Sequence, residues 1–577
     1  MSGKQEAVED NLDKSLRLSE EDLRKLEIPL EKRSKLYRFF EILPGAMSYL
    51  VVATPLIVGI WRADIAGFLI LFFMLIWFFR TVAMAVKALS TLATTRDMEG
   101  TDWLALLKDD YKNASERLNS LEKSRKLSRL DKFRKACLIK LEISTDETLE
   151  PEDLIHEVMI PMVSEPYEVV RGAVLAAVEQ NYDVKNRVIL QLCPEERARK
   201  SNAEVVSKLK AEFKDKFLNL IVSEHPAGLE GELIGKGGNI NWAAKELLVE
   251  LDRMGIAYER VMITGMDADC IMEKQYLAHL SYVYLINLNR DNASYQPLAL
   301  YTNNIWDAPA PMRVLAVGNS FYTLLQASRP HLQRNFSSHS QSLASLLVTN
   351  FWSSKTIVED GHQYWRSYMA FKGRYRVESM FVPNYQDAVL NENYRKTLMA
   401  QFKQLQRWAY GVSDIPYIWT RGIAGKDKID GVPFWPVFVR FLRHLENDIS
   451  WAAAPVLLAV GAWLPIIFAR DSDASIVAHQ LPEVARWVQT LASVGVLSSV
   501  YVAFRILPKR PERYKKSRSI FMWLQWILIP ITGLIYGSTT GFNAQAPSSQ
   551  RPKHSIYSQH PDQTQRLPSQ APLSWKI

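Results

Sequence analysis

The chain has 577 residues, 48% hydrophobic and 23% charged, with a formal net charge of +8. At about 100–200 residues per domain that length allows several domains, and 16 Trp, 23 Tyr and 23 Phe exclude a disordered scaffold. Long apolar runs within residues 45–86 and 449–537 argue against a wholly soluble chain, and the ordinary α/β composition of 87–430 argues against a many-span transporter.

Cys137, Cys193 and Cys270 have neither disulfide nor metal-ligand spacing, which suits a reducing cytosol. The densest basic runs, around Lys32–Lys35 and Arg505–Arg518, flank apolar stretches. They therefore favour an anionic membrane surface over nucleic acid.

In chain order, residues 1–43 are charged, lack a signal-peptide core and read as a cytosolic segment. Residues 44–86 read as a transmembrane hairpin, with runs of about Pro44–Trp61 and Ile65–Phe79 extending toward Val86, broken by Arg62-Ala63-Asp64. Residues 87–150 form a helical connector with amphipathic spacing, lying against the membrane or the next domain. Residues 151–430 alternate strands and helices. Strands are expected at about 157–163, 187–192 and 218–222, and helices at 167–180 and 202–213. Such alternation predicts an α/β domain with a mainly parallel sheet, helices on both faces and ligands at the carboxyl ends of the strands.

Residues 431–448 mix aromatics with cations and read as an interfacial helix. Residues 449–541 hold three further spans, about 449–469, 487–507 and 520–537, with a basic cytosolic loop at 508–519. The tail, 542–577, is rich in Ser, Gln and Pro and reads as disordered. Counting five spans, the positive-inside rule keeps the N-terminus and 87–448 in the cytosol and places the tail outside.

Three features can carry chemistry. Val261–Gly265 is strand-like and leads to Asp267-Ala268-Asp269, a carboxylate pair able to hold a hard divalent cation beside phosphate oxygens. Glu359-Asp360 follows an apolar stretch, and one of these carboxylates beside an acceptor hydroxyl would serve as general base. Gln404, Arg407 and Trp408 share one face of a helix expected over 391–410, with Arg407 suited to a diphosphate. Each has a plain alternative: a solvated turn, a helix start with Asp360 as cap, and a core Trp beside a surface Arg.

Their order and the flanking spans resemble the membrane-embedded family-2 glycosyltransferases, the group of cellulose, hyaluronan and chitin synthases. The resemblance covers about residues 155–410 by motif and the spans by layout. It implies a GT-A-type, Rossmann-like cytosolic domain inserted between N- and C-terminal transmembrane helices. It also implies a nucleotide-sugar donor (a UDP-sugar by preference), Mn²⁺ or Mg²⁺, and inverting transfer to a glycan or lipid-linked acceptor at the plasma membrane.

By position the resemblance makes Asp360 the base and Asp269 a metal ligand, with Asp267 touching metal or donor. Gln404, Arg407 and Lys236 would face the diphosphate, and Trp408 and Glu359 the acceptor. Where the family usually has an Asp-rich stretch after the second strand, this chain has Glu195-Glu196, and Glu196, or else Glu195, is the candidate for nucleobase and ribose. The segment 225–241 looks like the donor loop, although it is not a P-loop. No cellulose-synthase gating signature is present, which puts processive secretion in doubt. Transfer of a single sugar to a lipid carrier, or an inactive membrane scaffold, are the alternatives.

Overall fold

The computed structural model describes residues 18–30, 33–142, 149–287, 289–460 and 500–546, together with 483, 486–487 and 490. Its centre is an eight-stranded mixed sheet. The strands are β1 Ile155–Met162, β2 Val188–Pro194, β3 Asn219–Val222, β4 Val261–Gly265, β5 Ile271–Met272, β6 Ala293–Tyr301, β7 Ser340–Ser342 and β8 Arg376–Gln386. They lie in the order β3-β2-β1-β4-β7-β6-β8-β5.

The first four are mutually parallel, as the strand–helix alternation requires. β7 runs antiparallel between β4 and β6, β8 returns parallel to β6, and β5 closes the far edge antiparallel. The expected strands therefore form close to their predicted bounds, while the sheet as a whole is mixed rather than parallel.

Both faces of the parallel half are covered. Val158, Ile160 and Met162 point into one apolar cluster with Val170, Val174 and Leu209 of the following helices. Ile155 and Met159 point into the opposite cluster with Ile240, Ala244 and Leu247. This alternation within β1 explains a strand that is buried on both sides, where His156 and Glu157 are the polar exceptions. The connector packs against the domain: Trp103 meets His279 edge-on, and Asp110 accepts from Tyr282 at 2.7 Å and pairs with Arg134 at 2.6 Å.

The helices that frame the site are α1 Lys35–Trp61, α2 Ala63–Met98, α3 Lys236–Met254, α4 Ala310–Ala327, α5 Glu359–Ala370, α6 Tyr394–Ala409 and α7 Phe434–Val460. Helices α1 and α2 pack as a hairpin broken at Arg62. Among the described residues three segments, Lys35–Trp61, Asp64–Met98 and Ser517–Gln545, are long and apolar enough to cross a membrane. The predicted interfacial segment and the start of the third predicted span form one continuous helix, α7. The fifth run stays helical to Gln545, past the predicted start of the tail at 542. Gln545 is buried there and donates to the Asp448 carbonyl at 2.7 Å. The rest of the third span, most of the fourth and the tail beyond 546 lie outside the described residues.

Candidate active site

The site forms at the carboxyl end of β4, where the parallel half of the sheet meets β7. Asp267 lies just past β4 and Lys236 opens α3, and their side chains meet at 2.9 Å. Lys236 also donates to Ser337 Oγ at 3.2 Å and lies 3.8 Å from an Asp360 oxygen. Ser337 in turn donates to the other oxygen of Asp267. The sequence-predicted residues Lys236, Asp267 and Asp360 are thus brought to one point from three separate elements.

Close packing sets this junction. The extended backbone at Gly235 leads into α3, and a Cβ on Gly237 would sit 2.5 Å from the Ser353 carbonyl oxygen and 3.1 Å from the Glu359 Cβ. Only glycine lets the loop before α5 approach the first turn of α3 this closely. Glu359 and Asp360 both lie in the first turn of α5, after Val358, so Asp360 is not the cap that a plain helix start would make of it. A carboxylate in this turn faces the positive end of the helix.

Electrostatics couple these groups. Burial alone would lower the Lys236 ammonium, but the fields of Asp267, Asp360 and Glu359 outweigh it and raise its pKa. Burial works to raise Asp267, yet Lys236, the Ser337 hydroxyl and the nearby Arg407 hold it below the usual carboxylate range. Glu359 is pushed up to about 8, first by burial and then by the adjacent Asp360. Arg407 is itself exposed on α6, and its field reaches both Asp267 and Glu359. Tyr301, at the end of β6, is raised by burial and then by the fields of Asp267 and Asp269.

The other predicted residues lie around this core. Trp408 is half-buried, with its ring 6.2 Å from that of Tyr301. Gln404 accepts from Gln401 at 3.1 Å. Asp269 is half-buried, and its backbone carbonyl accepts from Asn303 at 3.1 Å. Glu196 stands apart, past the end of β2 and two strands away from β4. It accepts from the Ala227 amide at 2.9 Å and pairs with Arg199 at 3.3 Å. Its neighbour Glu195 is buried, held by Asn239 at 3.2 Å and His225 at 3.3 Å, and it pins the 225–241 loop to β2.

Sequence reasoning missed the Ser337–His339 turn. His339 is buried with Nδ1 3.7 Å from Asp360 and donating to the Phe336 carbonyl at 2.9 Å. Burial lowers its pKa, against the pull of Asp360. Ser338 between them has a φ of 65°, a left-handed conformation uncommon outside glycine. Such backbone strain is concentrated at functional sites. A non-glycine turn in a polar stretch leaves no periodic signal in the sequence.

The donor set suits a hard divalent cation. Asp267, Glu359 and Asp360 act on Lys236, Asp267 and Asp269 both act on Tyr301, and the ligating atoms offered are carboxylate oxygens. Among the described residues no cluster of three His, Cys, Asp or Glu side chains forms a cage. An ion shared between one or two carboxylates and a phosphate needs none.

No family model matches the chain, and no curated protein matches it in sequence. Among solved structures, the chain is similar to a mannosyltransferase, PcManGT from Pyrobaculum calidifontis, in complex with GDP-Man and Mn²⁺. That likeness has 14% identity, 75% of this chain, 98% of that chain and a TM-score of 0.38. It is also similar to S. aureus TarS, at 12% identity, 59% of this chain, 54% of that chain and a TM-score of 0.29. A third is GalNAc-T7 with UDP, GalNAc and Mn²⁺, at 10% identity, 52% of this chain, 54% of that chain and a TM-score of 0.27. At these scores the likenesses carry no weight for function, which is read from this chain's own side chains.

Proposed function

We propose that this protein is a membrane-bound, metal-dependent, inverting glycosyltransferase of the family-2 type. Its donor is a nucleoside-diphosphate sugar, UDP-linked by preference, and its acceptor a glycan or lipid-linked hydroxyl on the cytosolic side. The observation that carries the reading is the convergence of Lys236, Asp267 and Asp360, from three separate elements, at the carboxyl end of β4.

In this reading Asp360 takes the proton from the acceptor hydroxyl. The acceptor oxygen bonds to the anomeric carbon as the bond to the donor diphosphate breaks on the opposite face, which inverts the configuration. Lys236, Arg407, Gln404 and the amino end of α3 receive the departing diphosphate, where positive charge lowers the barrier. Asp267 and Asp269 would hold Mn²⁺ or Mg²⁺, which supplies further positive charge to that leaving group. The Trp408 ring and Glu359 flank the acceptor, and Glu196 faces the nucleoside end. Lys35–Trp61, Asp64–Met98 and Ser517–Gln545 support membrane insertion by their length and composition.

The test is nucleoside-diphosphate release from the full chain in lipid, across UDP- and GDP-sugars with Mn²⁺ or Mg²⁺. One donor should turn over, and Asp360→Asn should lose about 10²–10⁴-fold while still binding it. Loss of donor binding in that variant would remove Asp360 as base. Chelation should stop turnover and either metal restore it; turnover that survives chelation overturns the role given to Asp267 and Asp269.

A further inference from the structure

Away from the active site, α2, α7 and the turn after α4 bring arginines together at one edge of the apolar helices. Arg80 on α2 pairs with Glu446 on α7 and stacks over the Trp77 ring at 4.9 Å. Arg443 stands one turn before Glu446, exposed, and makes no ion pair among the described residues. Arg329 follows α4 in a turn fixed by its own carbonyl, which accepts from Leu332 at 2.8 Å and Gln333 at 3.0 Å. Its guanidinium is unpaired among the described residues, and its Nε is buried without a hydrogen-bond partner.

The fields of Arg80 and Arg443, after burial, lower the Arg329 pKa, as expected of cations held close together. Glu446 is already committed to Arg80, and Tyr322 is the other titratable group whose field reaches Arg329. Positive charge is in excess here. A buried guanidinium donor without an acceptor costs free energy that an anion would offset.

The surroundings say where that anion comes from. Phe79, next to Arg80, is 67% exposed, and Val439, Leu442 and Trp435 of α7 are 45%, 46% and 71% exposed. Cations flanked by exposed aromatic and aliphatic side chains, where the uncharged apolar run of a helix ends as Ile65–Phe79 does at Arg80, mark the headgroup layer of a bilayer.

We propose that Arg80, Arg329 and Arg443 form a binding site for the phosphate of an anionic membrane phospholipid. The site seats α2 and α7 at the cytosolic surface. It rests on the membrane reading of α2 and is independent of sugar transfer.

Native mass spectrometry of the full chain in detergent, with phosphatidylglycerol or phosphatidylcholine added, tests it. Phosphatidylglycerol should be retained well above phosphatidylcholine. The Arg329→Gln/Arg443→Gln double variant should lose that retention by about thirtyfold, as expected for two basic residues at an anionic surface. Arg443→Gln alone removes an exposed side chain, is expected to fold normally, and should lose several-fold. Equal retention of the two lipids, unchanged retention in both variants, or displacement by inorganic phosphate at equal concentration would each overturn the proposal. So would a variant that only raises the acceptor KM, which would make the cluster an acceptor site. Alkaline carbonate separates the readings. Release of the wild-type chain from membranes sinks the membrane reading itself, whereas a chain that stays in membranes but binds no phosphatidylglycerol sinks only this one.

Discussion

In the β3-β2-β1-β4 half of the sheet, each strand is followed by a helix or turn that returns it parallel to a neighbour, and packing is mainly apolar on both faces, with His156, Glu157 and Gln191 as buried polar exceptions. Beyond β4 the construction changes. Ser294, Gln296, Ser340, Gln341 and Ser342 are buried there and held by polar contacts. Gln341 donates to Tyr375 at 2.5 Å, Ser294 to Asn335 at 2.6 Å, and Gln296 accepts from the Phe336 amide at 2.8 Å. An apolar half sets strand positions by volume, whereas a hydrogen-bonded half sets directions, because each buried polar group must find its partner. The candidate site straddles the join: Lys236 and Asp267 come from the first half, and Ser337, His339 and Asp360 from the second.

The sharpest way to break that picture is to remove the cation at the join. Lys236→Met leaves Asp267 and Asp360 without their shared partner and takes a positive group from the proposed leaving-group site. Loss of a positioned stabilising group costs about 10²–10³-fold in kcat. Turnover measured across donor concentration should fall by that factor. Wild-type kcat in this variant would mean that the chemistry happens elsewhere in the cleft.

A smaller effect tests the packing that holds the halves together. In Gly237→Ala the new methyl meets the Ser353 carbonyl at 2.5 Å and Glu359 at 3.1 Å, so the loop before α5 must give way. Overpacking of this kind costs about 1–3 kcal/mol. The melting temperature should drop by several degrees and turnover with it. Gly265→Ala, with no neighbouring atom within 4 Å, is the control. Equal melting temperatures for the two variants would show that the contact across the join is slack.

How much of this was legible depends on which half a residue belongs to. β1, β2 and β3 are mostly apolar runs, interrupted by His156, Glu157, Gln191 and Asn219, and they form within two residues of expectation. Lys236, Asp267 and Asp360 stood out because each sits at the end of a strand or at a helix start. β7 has only three residues, two of them Ser and one Gln, and offers neither period nor apolar run. Its antiparallel pairing, Thr264 opposite Ser340, is what delivers Ser337–His339 to the end of β4. Nothing local encodes that. Long-range pairing likewise decided α7, where an aromatic, cationic stretch and an apolar one looked like separate elements but form one helix against α1.

The last test concerns the carboxylate beside the proposed base. Glu359 is buried next to Asp360, and its pKa stands above the ordinary 4.5, at about 8. The folded state therefore holds the proton more tightly than the unfolded chain. The contribution of Glu359 to stability is fully present below about pH 4.5 and is lost as pH rises through about 8. Glu359→Gln copies the protonated form and does not titrate. Its melting temperature should match wild type at the acid end of that window and exceed it increasingly toward the alkaline end, levelling off above about pH 8. A gap of about 2–4 °C corresponds to roughly 1 kcal/mol in a mid-sized domain. Thermal scans of both proteins across the window decide it. A gap that stays constant with pH would mean that Glu359 ionises as an exposed carboxylate does, and that the join between the two halves is wetter than its packing implies.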